Sequence, residues 1–395
     1  MKIALVGFGN AGGKVADTLL GLQEETGRQL CRAALAINSA RTDLAKIEHI
    51  PEDKQILIGE TDNRVKGHGV GCDPDLGASV ARRDLHELER AVDKVPLYDI
   101  DAFLVAAGLG GGTGSGGAPV LCSTLREKFE EPVYGLGILP SEEEGGRASF
   151  NAARAMQSFV DATDNLVVFD NDAWRGHDDS IGRGYERTNR EIATRMAALL
   201  SAGSYHDSDV SETVAENAMD ASDVRRTLAT GGVSTIAYAE TELEDATRSS
   251  QGLLGRFREN GQRKESASAK KISGLVRQAV QSRLTCPAEI SSAERSLIVV
   301  TGPPEEFSRK GLEDARQWVE DRTNSIEVLA GDSPRPGADR VSAVVILSNV
   351  TDVPRIDRLQ EQAVEAKENI GSQAETREEE IEELITDEGS ELDPV

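Results

Sequence analysis

A glycine-rich segment at residues 108–117 (GLGGGTGSGG) constrains the fold of this chain more than any other feature. It follows an apolar run at residues 102–106 and precedes a helix-like stretch at residues 120–129. Successive glycines allow neighbouring backbone N–H groups to face one concavity, and a helix N-terminus adds partial positive charge. A flexible linker of this composition would lie in a polar region. The position between a buried strand and a helix therefore predicts an anion-binding loop, in which Thr113 and Ser115 donate their hydroxyls to phosphate.

The first half of the chain alternates short apolar runs with helix-like stretches. This alternation predicts an α/β fold, with a parallel sheet covered by helices on both faces. Ligands of such sheets bind at the carboxyl ends of the strands, where the glycine-rich segment is expected to lie. The predicted strands are residues 2–6, 33–37, 55–58, 102–106, 133–139 and 166–169, and the helices between them include residues 14–22, 79–92 and 120–129.

The second half has a mixed pattern. A longer helical pattern at residues 183–202 predicts a spine between two domains, and residues 332–339 (DSPRPGAD) predict a turn. Residues 372–395 carry ten acidic residues and one Arg, which predicts a disordered and dispensable tail. The remaining predicted elements are strands at residues 234–239, 296–301, 325–329 and 341–347, and helices at residues 269–283, 309–321 and 356–370.

The charge of the chain excludes several classes of function. Its 395 residues include 69 acidic and 44 basic ones, of which only 12 are Lys, and the formal charge is −25. A negative surface repels a phosphate backbone, so the chain is not expected to bind nucleic acid. The apolar runs are shorter than the roughly 20 residues that cross a bilayer, and no signal peptide is recognised. Four separate Cys without a CxxC pair predict reduced thiols in the cytoplasm, and the acidic, Lys-poor composition indicates a salt-rich one.

A second glycine segment, GFGNAGGK at residues 7–14, follows the first predicted strand. It contains the GxGxxG pattern of dinucleotide-binding proteins, but the second strand ends at Asn38 and Ser39, without the carboxylate that holds the ribose in those proteins. Lys14 is followed by Val15 rather than by Ser or Thr, which argues against a P-loop. An NAD-dependent dehydrogenase therefore remains only as a remote alternative.

The sequence GGGTGSG at residues 110–116 is the signature of the tubulin/FtsZ superfamily of GTPases, and the chain resembles that superfamily up to about Asn349. The resemblance implies a Rossmann-like GTPase domain, a long central helix and a smaller α+β C-terminal domain. It implies GTP or GDP as the ligand, with Mg²⁺ bound through the nucleotide and no separate metal site. The implied partner is a second copy of the chain in a head-to-tail filament, with any membrane attachment made through other proteins.

The resemblance also implies contacts residue by residue. For the ribose it implies Glu144 and Arg147, and for the guanine base it implies Asn171 and Asn189, with Tyr185 stacked on the base. Tyr185 and Asn189 are four residues apart, so they share one face of a helix. For the phosphates and the loops around them it implies Gly9, Asn10, Ala11, Gly12, Gly13, Lys14, Asn38, Gly71, Asp73, Gly110, Gly111, Gly112, Thr113, Gly114, Ser115 and Gly116.

Residues 216–225 (ENAMDASDVR) resemble the catalytic NxDxxDxR loop of the superfamily, with Ala218 in place of Asn. Asp220 and Asp223 are three residues apart, so both face the same way from the start of a helix. Because carboxylates repel a triphosphate, their chemical use is to polarise or position the attacking water. The resemblance implies that they act on the nucleotide of the next subunit, so that self-association activates hydrolysis.

Within the superfamily, the archaeal CetZ branch is favoured by the start at the first strand, by the loop sequence GFGNAGGK and by the acidic C-terminus. That branch implies a role in cell shape. The alternative is a GTP-dependent scaffold that does not hydrolyse GTP, motivated by Ala218, Asp73 and the acidic run at residues 142–144. The implied domains are residues 1–182 (GTP-binding), 183–206 (central helix), 207–350 (activation domain, beginning with the catalytic loop), 351–371 (polar helix) and 372–395 (acidic tail).

Overall fold

The computed structural model describes residues 1–174, 181–202, 219–243 and 261–367. The predicted acidic tail at residues 372–395 and residues 216–218 of the predicted catalytic loop lie outside the described residues. Within the described ranges, none of the helices is both long enough and apolar enough to cross a membrane.

The elements follow one another in an alternating order through the first half of the chain. The strands are β1 (Ile3–Phe8), β2 (Cys31–Asn38), β3 (Gln55–Leu57), β4 (Ala102–Gly108), β5 (Val133–Leu139), β6 (Asn165–Asp170), β7 (Val233–Glu242), β8 (Ala293–Gly302), β9 (Glu327–Pro334) and β10 (Arg340–Val350). The helices are α1 (Gly9–Thr26), α2 (Arg41–Leu44), α3 (Pro74–Arg83), α4 (Leu85–Val92), α5 (Thr113–Lys128), α6 (Gly146–Ala162), α7 (Asn171–Trp174), α8 (Ile181–Leu200), α9 (Ala221–Leu228), α10 (Gly261–Gln281), α11 (Arg309–Glu320) and α12 (354–367).

The described strands form one sheet of ten, in the order β3-β2-β1-β4-β5-β6-β7-β10-β8-β9. Strands β1 to β6 pair in parallel, whereas β10 pairs antiparallel with both β7 and β8. The two halves meet at β6 and β7, which pair only at Leu166 with Val233 and at Val167 with Ser234. A parallel half joined to a smaller mixed half confirms the predicted fold class.

The apolar core has two layers, one on each face of the sheet. On β1, the side chains of Ala4, Val6 and Phe8 belong to one layer and those of Ile3 and Leu5 to the other. This division follows from the strand geometry, because successive side chains point to opposite faces. Helices α3 to α6, α10 and α11 contribute to the first layer, and α1 and α8 contribute to the second. Burial on both faces explains the continuous apolar runs of the parallel strands.

Two elements differ from the sequence predictions. The helix predicted at residues 79–92 is two helices, α3 and α4, because the chain turns at Asp84, whose carboxylate accepts the N–H of Gly59 at 2.5 Å. The turn predicted at residues 332–339 begins later, because β9 continues beside β8 as far as Pro334. In both places a contact with a distant segment outweighs the local pattern.

Candidate functional site

Two glycine segments meet at the carboxyl ends of β1 and β4, which are neighbouring parallel strands. Helix α1 begins at Gly9 directly after β1, and α5 begins at Thr113 shortly after β4. Gly9 has a φ of +74°, and a Cβ on it would lie 2.8 Å from the backbone N of Gly114. A Cβ on Gly12 would lie 2.0 Å from the carbonyl O of Ala106. Only glycine permits this approach, which brings two helix N-termini together.

The predicted phosphate residues of these segments are distributed between the loops and the helices. Asn10, Ala11, Gly13 and Lys14 lie in the first turns of α1, where Asn10 is exposed and the side chains of Ala11 and Lys14 are partly exposed. Gly110 lies in the loop after β4, and Gly114, Ser115 and Gly116 lie in the first turn of α5.

The backbone beside the two helix starts borders open space at two glycines. A Cβ on Gly111 or on Gly71 would meet no atom of the described chain within 4 Å. The N-cap residues of α1 and α5, Phe8 and Gly112, provide no side-chain hydrogen bond to the first turn of their helices. The backbone N–H groups of those turns are therefore available to an anion, which the helix dipoles also favour.

The two hydroxyls of the second segment have different partners. The hydroxyl oxygen of Thr113 lies 2.6 Å from that of Ser39, which joins this segment to the residue that follows β2. The hydroxyl of Ser115 donates to the carbonyl oxygens of Gly111 and Gly112. Serines near a helix start commonly bond back to the preceding turn. In this conformation Ser115 stabilises the loop, rather than presenting its hydroxyl to a phosphate as the sequence predicted.

The end of β2 is hydrogen-bonded to the loop at residues 67–73. Asn38 is buried, and its Oδ1 accepts the N–H of Ala40 at 3.1 Å. The carbonyl O of Ser39 accepts the N–H of Gly69 at 3.0 Å. Asn38 therefore shapes the turn that holds this loop beside the glycine segments.

The same loop ends in a helix cap at Asp73. The Oδ1 atom of Asp73 accepts two N–H groups of the first turn of α3, each at 3.0 Å, so the carboxylate that the sequence suggested for the phosphates serves as a cap. Asn151 of α6, which sequence reasoning missed, joins this loop to the second glycine segment. Its Nδ2 donates to the carbonyl O of Cys72 at 3.0 Å and of Gly110 at 3.2 Å. The only local signal for Asn151 is a polar residue on the buried face of a helix.

The segment predicted to hold the ribose follows β5 and contains a short 3-10 helix, Glu142–Glu144. The Oε1 atom of Glu144 accepts the N–H of Ser141 at 2.9 Å and the hydroxyl hydrogen of Tyr185 at 3.2 Å. The fold thus brings together Glu144 and Tyr185, two predicted site residues that are 41 positions apart in the chain. Arg147 is exposed in the first turn of α6, and it makes no hydrogen bond or ion pair within the described part of the chain.

The segment predicted to read the base follows β6. Asn171 begins α7 and is buried, and its carboxamide has no hydrogen-bond partner among the residues that the structure describes. The start of α8 lies beside α7, because Arg187 donates to the carbonyl O of Trp174 at 3.1 Å. Tyr185 and Asn189 are partly exposed on this part of α8. The predicted ribose and base residues therefore lie at the carboxyl ends of β5 and β6, at the same end of the sheet as the glycine segments.

The predicted catalytic acids cap α9 reciprocally. The Oδ1 atom of Asp220 accepts the N–H of Ser222 at 2.7 Å and that of Asp223 at 3.2 Å. In return, Oδ2 of Asp223 accepts the N–H of Asp220 at 3.0 Å. Both residues are at least partly exposed, so the carboxylates stabilise the helix start and also reach the surface.

Helix α9 lies at the opposite end of the strands from the glycine segments. Ser222 and Arg225 line a surface cavity together with Pro132 and Asp164. Pro132 directly precedes β5 and Asp164 directly precedes β6, so this cavity lies where these strands begin. The predicted nucleotide residues lie where the strands end. The fold thus separates Asp220 and Asp223 from the predicted nucleotide residues of the same chain.

Two family models match consecutive parts of the chain. The GTPase domain of the Tubulin/FtsZ family matches residues 2–178, and the C-terminal domain of tubulin-like CetZ matches residues 178–365. Tubulin-like protein CetZ1 of Haloferax volcanii is 49% identical over 374 residues, which cover 94% of this chain and 93% of the relative. Tubulin-like protein CetZ3 of the same organism is 47% identical and covers 100% of both chains.

Solved structures agree with these relationships. The GDP-bound monomer of CetZ1 from Haloferax volcanii has a TM-score of 0.81 and 46% identity, covering 93% of this chain and 100% of that one. The GTPγS-bound protofilament of CetZ2 from the same organism has a TM-score of 0.81 and 35% identity, covering 94% of this chain and 100% of that one. By sequence and by fold, the chain belongs to the CetZ family of the tubulin/FtsZ superfamily.

Proposed function

We propose that this chain binds GTP, assembles head to tail into filaments, and hydrolyses GTP to GDP and phosphate where one subunit meets the next. The relatives support guanine nucleotides and self-association, because they include a GDP-bound CetZ1 monomer and a GTPγS-bound CetZ2 protofilament. The filament is proposed to act in the cytoplasm in the control of cell shape.

The observation that carries this proposal is the separation of the two halves of the site. Strand β1 has six residues, so its two ends are about 20 Å apart at the usual rise of a strand. The glycine segments lie at one end of the sheet, and Asp220 and Asp223 lie at the other. A subunit cannot apply its own acids to its own nucleotide across this distance. Head-to-tail contact would place the acids of one subunit over the nucleotide of the next. Residues 1–182 would then bind the nucleotide, and residues 207–350 would supply the acids. Residues 183–206 would connect these two domains.

Binding of a polyanion by so acidic a chain needs attraction that does not come from basic side chains. The uncapped N–H groups at the starts of α1 and α5 supply it through the backbone. Within the described residues, no three His, Cys, Asp or Glu side chains are grouped as a metal site. Mg²⁺ would be held through the nucleotide, where it neutralises charge on the phosphates.

Hydrolysis would depend on the two carboxylates. Each carboxylate has an oxygen engaged in the helix cap, and both side chains are at least partly exposed, where water can reach them. In the assembled site, Asp220 and Asp223 would orient the attacking water and polarise it, as acid–base groups do in phosphoryl transfer.

The test is the dependence of turnover on protein concentration. Phosphate release per molecule is measured over a dilution series in molar KCl, with filament formation followed by light scattering and electron microscopy. We expect the rate per molecule to rise with concentration and to level off when filaments form. A rate per molecule that stays constant on dilution would refute hydrolysis at the subunit interface.

A second candidate function is a GTP-dependent scaffold without hydrolysis. The reciprocal cap favours it, because the cap gives Asp220 and Asp223 a structural role that needs no catalysis. This candidate predicts filaments that form with GTP and release no phosphate. An NAD-dependent dehydrogenase would instead bind NADH, which a fluorescence titration against GDP distinguishes.

A further inference from the structure

A buried arginine from α12 lies beneath the ribose and base segments. The side chain of Arg355 is 1% exposed, although it carries a full charge. Its Nε donates to Oδ1 of Asp170 at 3.1 Å, and its Nη2 donates to the carbonyl O of Pro140 at 2.9 Å and to Oδ2 of Asp172 at 3.0 Å. The planar guanidinium can bridge several acceptors at once, which a lysine ammonium does with less geometric control.

The acceptors of Arg355 belong to the two segments that contact the nucleoside in the proposed site. Pro140 lies four residues before Glu144, and Asp172 directly follows Asn171. The Asp172 carboxylate also accepts the N–H of Glu142, at 3.1 and 2.9 Å to its two oxygens. One guanidinium and one carboxylate therefore set the separation between the ribose segment and the base segment.

The charge around Arg355 makes this link strong. Three carboxylates surround it: Asp170 and Asp172 accept its hydrogen bonds, and Oε1 of Glu142 lies 3.7 Å from Nη1. Burial raises the pKa of the Asp170 carboxyl, and the positive charge of Arg355 opposes that rise. Without the guanidinium, the buried carboxylate of Asp170 would lose its counter-ion, so that this carboxylate would take up a proton or the ribose and base segments would move apart.

Helix α12 is also docked beyond Arg355. The hydroxyl of Ser149 on α6 donates to Oε1 of Gln362 at 3.1 Å, and Leu359 is fully buried between these two points. Arg355 therefore lies on a helix that is also held by a hydrogen bond to α6 and by a buried leucine.

We infer that Arg355 is a positioning residue for the guanine nucleoside, and that through it the docking of α12 is coupled to nucleotide affinity. This inference rests on the proposed function. Arg355 does not contact the nucleotide itself but holds Glu144 and Asn171 at the separation that guanosine requires. By linkage, a bound nucleotide must then stabilise the docked state of α12.

The first test compares Arg355→Lys and Arg355→Met with the wild-type chain and with Arg358→Met. Arg358 is the matched control, because it is exposed on the same helix. Calorimetry in molar KCl measures the dissociation constants of GDP and ADP, and thermal melts verify folding. We expect Arg355→Met to weaken GDP binding at least about tenfold and to reduce the preference for GDP over ADP, since small displacements of positioning groups have effects of this size. Arg355→Lys is expected to have a smaller effect in the same direction.

The ratio of the two dissociation constants separates positioning from folding. Loss of folded protein lowers the binding stoichiometry but leaves the ADP-to-GDP ratio unchanged, and an unchanged ratio in both variants would overturn the inference. If Arg355→Met does not fold, the ADP-to-GDP ratio of Arg355→Lys is the deciding measurement. A wild-type chain that binds no GDP would refute the proposed function instead.

The second test uses the wild-type chain alone. Hydrogen exchange is measured on peptides from residues 354–367 with and without saturating GDP, and peptides from α11 serve as the control. Coupling predicts slower exchange in α12 when GDP is bound and no change in α11. Unchanged exchange in α12 at saturation would contradict the coupling.

Discussion

The substitution Asp220→Asn separates the helix-cap role of this residue, which the structure shows, from its proposed catalytic role. Asn and Asp are equally good N-caps, so the carboxamide oxygen of the variant can still accept the N–H groups of Ser222 and Asp223, which lie 2.7 and 3.2 Å from the native carboxylate. The substitution removes the negative charge and replaces the other carboxylate oxygen by an NH₂ group, while the cap is kept. Asp220→Ala would instead lose the cap as well, at a cost of about 1 kcal/mol. The asparagine variant is therefore the sharper test of catalysis.

The expected magnitudes differ for stability and for turnover. We expect Asp220→Asn to change the free energy of unfolding by less than about 0.5 kcal/mol, as for a surface substitution that preserves its hydrogen bonds. A group that orients and polarises water contributes roughly 10²- to 10⁴-fold to a rate. Turnover of Asp220→Asn should therefore fall at least about 100-fold. GTP binding should be unchanged, because the acid lies at the opposite end of the strands from the predicted nucleotide residues of its own subunit.

The assay is phosphate release by assembled protein in molar KCl, with GTP affinity and thermal melts measured on the same samples. Ser222→Ala is the matched control, because it removes a hydroxyl that donates to Oδ1 of Asp220 at 2.5 Å and keeps both carboxylates. This control should retain most of the wild-type turnover. Wild-type turnover by assembled Asp220→Asn would refute the catalytic role and would leave Asp220 as a helix cap.

Three further predictions concern the glycine segments, pH and salt. Gly12→Ala should destabilise the fold by about 1–3 kcal/mol in denaturant unfolding, because its Cβ would lie 2.0 Å from a carbonyl O, whereas Gly111→Ala should fold normally and bind GTP more weakly. Equal unfolding midpoints for the two variants would contradict this. Hydrogen bonds from Arg64 hold the pKa of Asp62 well below its usual range. The charged carboxylate therefore stabilises the fold at pH values above the unfolded pKa of about 3.9, and this stabilisation is lost as the pH falls from there through the folded pKa. Asp62→Asn should therefore lower the melting temperature at pH 7. As the pH is lowered into the acid range, the melting temperature of this variant should fall less steeply than that of the wild-type chain. Raising KCl from about 0.1 M to about 2 M should lower the protein concentration at which filaments form, because salt screens repulsion between chains of charge −25, and weaker assembly in high salt would refute that reasoning.

The sequence predicts the parts of the site whose geometry is local. A glycine segment between an apolar strand and a helix can form only a tight turn onto a helix N-terminus, so the placement of Gly9 and Gly111 follows from the motif. The parallel sheet follows from the alternation of elements. It puts these segments together at the carboxyl ends of the strands. The predicted ribose and base residues also follow strand ends. Because parallel strands share the direction of their carboxyl ends, these residues lie at the same end of the sheet.

The sequence does not predict which hydrogen bonds a polar side chain makes once the backbone offers alternatives. Ser115 and Asp73 both lie at helix starts, and both bond to nearby backbone groups. Short polar side chains do this readily, because the partner is only a few residues away. A motif can therefore place such a residue correctly and still leave its hydrogen-bond partner undetermined.

Contacts between distant segments are also absent from the sequence pattern. Asn151 bonds to a carbonyl 79 residues away, and Arg355 bonds to a carboxylate 185 residues away. Neither residue lies in a recognisable motif, and an arginine on a polar helix is ordinarily expected at the surface. Their roles become visible only when the fold closes around them.

Buried arginines hold the base segment from two sides. Helix α7 has only four residues, too few to be stable by itself, yet it carries Asn171. Arg355 bonds to Asp172 within α7, and the guanidinium of Arg195 on α8 stacks 4.0 Å from the ring centre of Trp174 at its end. In a chain whose acidic residues greatly outnumber its basic ones, these buried cations stabilise the base segment, while in the proposed site backbone N–H groups would bind the phosphates. The base segment is thereby the point at which the central helix, α12 and the nucleotide would act on one another.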